Sequence, residues 1–260
     1  MKIKDLICDI CHWNNLNFNN PDTVDKYHFG NPDNEVTRVA VTMFASIEVI
    51  KKAIDFGAEL LIVHEPIFNS NEEKINPDNP VHQEKIRLIN EGNLTLFRYH
   101  DHPHWMQDDF IDNATIKYSG LKGRVIGKPF WAVTAFELDE PMSGAEVRNV
   151  LADKLNASWS RIAGSTDTKG KNIAFACGTP GHIMELLLDD HTDFIVTGEI
   201  CEWIYGELAR DLAAIGKNKT IIVMGHCRSE YAGMIEVSNL LQEKFPQLVV
   251  KHIESKDVYR

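Results

Sequence analysis

Six side chains able to bind a metal ion sit just past apolar, strand-like runs in this 260-residue chain. His64 and Glu65 follow residues 60–63. His100 and His104, with His102 between them, follow residues 94–97. His226 and Glu230 follow residues 221–223. Imidazole nitrogen mixed with carboxylate oxygen suits zinc, iron, manganese or nickel, whereas oxygen alone would suit magnesium or calcium. Two such cations held ~3.5–4 Å apart repel each other unless a carboxylate lies between them. Glu230, four residues after His226 and near the start of a helix, is placed to be that bridge. A single histidine after a strand is ordinarily a hydrogen-bonded structural residue; matched groups at four strand ends point instead to two divalent transition-metal ions.

The matching is an internal repeat. DFGAELLIVHEPI (55–67) aligns without a gap to DDHTDFIVTGEIC (189–201), so Glu65 matches Glu199 at an offset of 134. LTLFRYHDHPHW (94–105) aligns to TIIVMGHCRSEY (220–231), pairing His100 with His226 and His104 with Glu230 at an offset of 126. The longer Asn/Pro-rich loop of the first half accounts for the difference. Ligands of open parallel sheets gather beyond the carboxyl ends of the strands. Two related lobes around a pseudo-twofold axis would therefore place a metal site at their interface. Glu199 matches Glu65 but is not needed as a ligand, which makes it the candidate catalytic residue, as general base or as orienter.

The elements that must position these groups follow an α/β pattern with largely parallel sheets. Ile3, Leu6, Ile7 and Ile10 recur with helical spacing. Residues 14–34 and 69–80 are rich in Asn, Asp and Pro and read as loops. Between them lie a strand over 36–43, a helix capped by Ser46 and ended by Gly57, and a wholly apolar strand over 60–63. Residues 124–138 read as two strands followed by a helix. Strand and helix then alternate over 173–176, 183–188, 194–196, 203–212, 221–223 and 231–241. The expected organisation is an N-terminal helix and loop (1–35), a first lobe (36–123), connecting strands and helix (124–165) and a second lobe (166–260).

Composition narrows the function. Hydrophobic residues make up 43% and charged residues 25% of the chain, as in an ordinary globular protein. The formal net charge is −11, with no cluster of Lys and Arg, which argues against nucleic acid as a partner. No run approaches the ~20 apolar residues of a membrane helix, and MKIKDLICDICHW lacks the features of a secretory signal. Five scattered cysteines form no disulfide framework, so a reducing, cytoplasmic setting is expected. Cys8-Asp-Ile-Cys11-His12 spells a haem-attachment pattern, but the helical stripe is expected to leave both cysteines off the core face, and no export signal accompanies it. The GTPG turn at 178–181 is a weak anion signal. His28, His82, His182, His191 and His252 read as surface residues.

The motifs SIEVIKKAIDFGAELLIVHEPIF, TDFIVTGEICEW and MGHCRSEYAG, with GRVIGKPF and SRIAG between them, resemble the Nif-three-like family (NGG-one-interacting factor three), also described as type 2 GTP cyclohydrolase 1. The likeness spans roughly residues 36–253. It implies a two-lobed α/β protein with a dinuclear metal site, often assembled as a hexameric homo-oligomer, and His64, His226 and Glu230 as ligands. Where the family usually has a second histidine this chain has Glu65, and where it has an aspartate this chain has His104. The two exchanges together preserve ligand number and charge. The family's Trp-Asp-Asn stretch near the start is missing. The resemblance implies metal-dependent hydrolysis of a small-molecule substrate, GTP ring opening or a related nucleotide or amide reaction. The alternative is a non-enzymatic metal-binding regulatory or scaffold protein.

Overall fold

A computed structural model describes residues 1–13 and 22–259; residues 14–21 of the expected first loop lie outside the described part. The chain divides into two compact units, Met1–Met106 with Met234–Lys256, and Gln107–Gly233 with the chain end from Asp257. The architecture is mixed α/β with two sheets.

In the first unit, strands β1 (Tyr27–Phe29), β2 (Arg38–Thr42), β3 (Leu60–Val63), β4 (Thr95–Arg98) and β11 (Val249–His252) form one sheet in the order β1-β4-β3-β2-β11. All neighbours are parallel except β1, which runs antiparallel to β4. Helix α2 (Ile47–Phe56) begins where the Ser46 hydroxyl accepts from Val49 N–H at 3.2 Å and ends where Gly57 turns left-handed at φ 75°. Its Val49, Ile50 and Ala53 pack with Ala40, Leu61, Val63 and Leu96 in the core. Helix α1 (Ile3–Cys11) buries Ile3, Leu6, Ile7 and Ile10. Cys11 is buried too, contrary to expectation, because it lies one helical turn beyond Ile7 on the same stripe; only Cys8 faces solvent.

The sheet of the second unit contains β5 (Gly123–Phe130), β6 (Val133–Ser143), β7 (Arg161–Gly164), β8 (Lys169–Ala176), β9 (Phe194–Thr197) and β10 (Thr220–Val223), in the order β5-β6-β8-β9-β10-β7. Residues 124–165, expected as a connection, thus supply two strands to one side of this sheet, a third to its other edge, and the intervening helix α6 (Gly144–Lys154), which starts with a capping box of Ser143 and Glu146. The chain end likewise does not stay with the second unit, since β11 pairs with β2.

The internal repeat is visible in strand pairing. Val39–Leu60 and Ile173–Phe194 are equivalent register pairs, and so are Leu60–Thr95 and Phe194–Thr220. β1 and β7 each run antiparallel beside the last strand of their set. The offset of 134 therefore holds for the first two parallel strands, and Glu65 is equivalent to Glu199. At the third strand the pairing offset is 125, one less than the sequence alignment used. Tyr99 N–H donates to Val63 as Met224 N–H donates to Thr197, so by register His226 matches Asp101 and His100 matches Gly225. Side-chain similarity had outweighed the backbone register by one residue.

Candidate metal centre

Every candidate group sits where a parallel strand ends. In the first unit, His64 and Glu65 continue β3 and are held there by backbone hydrogen bonds to Thr42 and Met43. His100 precedes, and His104 lies within, the short helix α4 (Asp101–Trp105) that follows β4. One nitrogen from each of His64, His100 and His104 lies within 4.8 Å of the other two. The His64 ring stacks on that of His100 with centroids 4.6 Å apart, and the His104 centroid is 5.4 Å and 5.2 Å from them. His64 and His104 are buried, as is Glu65.

Hydrogen-bond partners decide which nitrogen carries the lone pair. His64 Nδ1 is 3.0 Å from the Tyr99 carbonyl oxygen, which can only accept, so Nδ1 donates and the lone pair is on Nε2. His100 Nδ1 is 2.9 Å from Asp101 Oδ1. Burial pushes the Asp101 carboxyl up, but hydrogen bonds from the His100 ring, Val24 N–H and Thr23 outweigh it and hold the pKa below the ordinary value. Asp101 is thus an ionised acceptor, and His100 too presents Nε2.

Asp25 anchors this assembly. Its carboxylate accepts from the backbone N–H groups of His100 (2.6 Å), Asp101 (2.8 Å) and His102 (3.0 Å), and lies 2.6 Å from His102 Nδ1. His102 therefore serves the fold, stacked beside Tyr99, and is not among the converging nitrogens. Arg98 reaches the His64 carbonyl (3.3 Å) and Asn71, and Lys85 Nζ donates to the Ile67 carbonyl at 2.5 Å, so buried cations fasten the loop that follows Glu65. His82, expected at the surface, is buried and accepts from Asn76 N–H at 3.0 Å, closing the same loop.

Helix α9 (His226–Lys244), whose first turns belong to the second unit, starts five residues earlier than its apolar pattern indicated. His226 and Glu230 thereby fall one turn apart on one helix face, with Nε2 and Oε2 3.2 Å apart. His226 Nδ1 is 2.7 Å from Glu199 Oε1, which also accepts from the Thr179 hydroxyl at 2.6 Å. The His226 hydrogen bond, then that of Thr179, holds the Glu199 carboxyl down at about 2 against the effect of burial. Glu199 is therefore an ionised acceptor for Nδ1–H. Nε2 of His226 and a carboxylate oxygen of Glu230 thus lie side by side, a nitrogen–oxygen pair of the kind a transition metal takes. The His64, His100 and His104 nitrogens form a donor set that fits a nitrogen-binding transition metal.

Gly178 completes this corner. It has φ 66°, and a Cβ there would run into Glu230 Oε1. Its N–H donates to Ser229 Oγ at 2.9 Å, so that donor of the GTPG turn is spent within the protein. Asp25, Asp101, Thr179 and the Tyr99 carbonyl went unseen in the sequence. Asp101 carried a signal in its place beside His100, and Thr179 in lying within the GTPG turn.

The sequence pattern of the Duf34/NIF3 (NGG1p interacting factor 3) family matches residues 24–258. The chain belongs to this family. Curated relatives include proteins called GTP cyclohydrolase 1 type 2 homolog from Clostridium perfringens, 26% identical over 236 residues (88% of this chain and 86% of the relative), and from Pyrococcus abyssi, 25% identical over 224 residues (81% and 82%). Among solved structures, Staphylococcus aureus protein SA1388 superposes with a TM-score of 0.78 at 18% identity, covering 100% of this chain and 98% of that one. A Bacillus cereus protein related to NIF3 gives 0.75 at 15% identity, covering 100% and 98%. The fold is that of NIF3 proteins. Among the described residues no helix is long and apolar enough to cross a membrane.

Proposed function

We propose that this NIF3-family chain binds two divalent transition-metal ions through His64, Glu65, His100, His104, His226 and Glu230, and that it is a metal-dependent hydrolase. The observation that carries the reading is the convergence of three imidazole nitrogens, from His64, His100 and His104, within 4.8 Å. Bound there, the ions would polarise an electrophilic centre and make water nucleophilic at neutral pH. The chain's own part is to hold them: Nε2 of His64, His100 and His226 are the donor atoms, and buried Glu65 and Glu230 supply negative charge. Glu199 acts as an orienter. Its carboxylate accepts from the His226 ring and the Thr179 hydroxyl, which hold it below the ordinary carboxylate range.

The names of the curated relatives support GTP as substrate; hydrolytic loss of the carbon between the two imidazole-ring nitrogens of guanine would release it as formate. The test combines metal analysis with a formate assay on GTP. Protein prepared with zinc, iron(II), manganese or nickel should hold close to two ions per chain, lost to a chelator, and should release formate only when loaded. Failure to retain any metal overturns the site. Full metal content without turnover of GTP, other nucleotides or amides overturns the hydrolase and favours a regulatory or scaffold role.

A further inference from the structure

The neighbour of one histidine has chemistry of its own. Asp101 spends both carboxylate oxygens inside the first unit: Oδ1 on His100 Nδ1 at 2.9 Å, and Oδ2 on the Thr23 hydroxyl at 3.0 Å and Val24 N–H at 2.9 Å. The carboxylate cannot swing away from the ring without leaving two donors of the 23–24 segment unsatisfied. That segment is itself tied to the histidine helix, because Asp25 accepts the N–H groups of His100, Asp101 and His102. The aspartate is locked in place before any metal arrives. An ionised carboxylate only accepts, so it stabilises one of the two neutral imidazole tautomers over the other.

We propose, on the metal-binding reading above, that Asp101 is a positioning residue that holds His100 in the Nδ1–H tautomer and so commits Nε2 to the metal. A metal-binding imidazole whose other nitrogen donates to a carboxylate is oriented and made a stronger donor. Replacement by the isosteric amide reverses the logic. In Asp101→Asn the side-chain oxygen can stay on Thr23 and Val24, which turns the NH₂ group toward His100 Nδ1. The ring must then accept at Nδ1 and carry its hydrogen on Nε2, where it blocks the donor atom.

Two measurements test this. The first uses metal-free protein at mildly alkaline pH, where imidazole is neutral; long-range ¹H–¹⁵N correlation spectra of the ring report the tautomer directly. The wild type should show His100 as Nδ1–H and Asp101→Asn should show Nε2–H. A wild-type His100 in the Nε2–H form overturns the proposal whether or not metal binds. The second is zinc affinity by chelator competition. Asp101→Asn should weaken one ion by about 10- to 100-fold, and the same change in a His100→Ala background should add nothing, since Asp101 acts only through that ring. Unchanged affinity in the single variant, or a further loss in the double variant, overturns the role. A wild type that shows the Nδ1–H tautomer yet takes up no zinc overturns the metal reading itself, a result the first measurement keeps distinct.

Discussion

At His64, His100 and His226 the fold supplies an acceptor for Nδ1: a carbonyl, an aspartate and a glutamate. On the proposed reading, tautomer choice rests on the backbone and the neighbouring carboxylates and precedes metal binding. The heaviest duty falls on Asp25, whose buried carboxylate answers three N–H groups and one ring. In Asp25→Asn only one oxygen remains to accept and the new NH₂ meets donors. The expected loss of stability is on the order of 3 kcal/mol, read from urea unfolding of metal-free protein. The proposed ligands lie at strand ends and outside the apolar clusters, so Glu230→Gln and His104→Ala should fold normally, with wild-type circular dichroism. Elemental analysis should show each holding fewer ions than the wild type; a Glu230→Gln protein with full metal content at unchanged affinity would remove this carboxylate from the ligand set.

The elements act mainly by fixing the loops after the strands. In the second unit Gly178 lies right behind the Glu230 carboxylate and adopts a left-handed backbone. Gly178→Ala adds both strain and collision, so a cost on the order of 1–3 kcal/mol is expected, together with metal loss as Glu230 is displaced. In the first unit, α3 (Pro80–Glu91) places Lys85 inside, against the Ile67 carbonyl. Burial lowers the Lys85 pKa, with Glu73 pulling the other way. A depressed lysine means that the unfolded chain binds more protons between the folded value and the unperturbed 10.5, so stability from this group rises with pH across that window and is lowest below it. Lys85→Met should remove that slope in unfolding curves taken from neutral pH to about pH 10; an unaltered slope would show that the lysine ionises without penalty.

At the scale of the whole molecule, two sheets share a parallel three-strand unit with an antiparallel edge, repeated in pairing register. β3 and β9 are the middle strands of those units and are buried along their length. β5 lies at a sheet edge and is largely exposed. Native-state hydrogen exchange should reflect this: amides of residues 60–63 and 194–197 should exchange slowest, and those of 123–128 much faster. Comparable protection in β5 would mean that its open side is covered in solution.

Much of the fold was legible along the chain, for local reasons. Apolar runs of four residues bounded by turn signals fit buried parallel strands in an α/β pattern, and Ser46 and Gly57 mark the ends of α2 with a capping side chain and a left-handed backbone. Helix α7 (Ile183–Leu188) and the equivalence of Glu65 with Glu199 were readable for the same reason. Candidate ligands could be named because imidazole and carboxylate at strand ends are few and chemically distinctive. What tertiary structure alone decided involves partners far apart in sequence. Asp25 reaches residues 75 to 77 positions away, Glu199 reaches His226, and the return of β11 to β2 crosses almost the whole chain. The proposed role of Glu199 as orienter, the one-residue correction of the second repeat and the proposed tautomers of the histidines all depend on such contacts. A strand slipped by one residue keeps its composition but turns every side chain to the other face, so side-chain likeness cannot set register where hydrogen-bond pairing does.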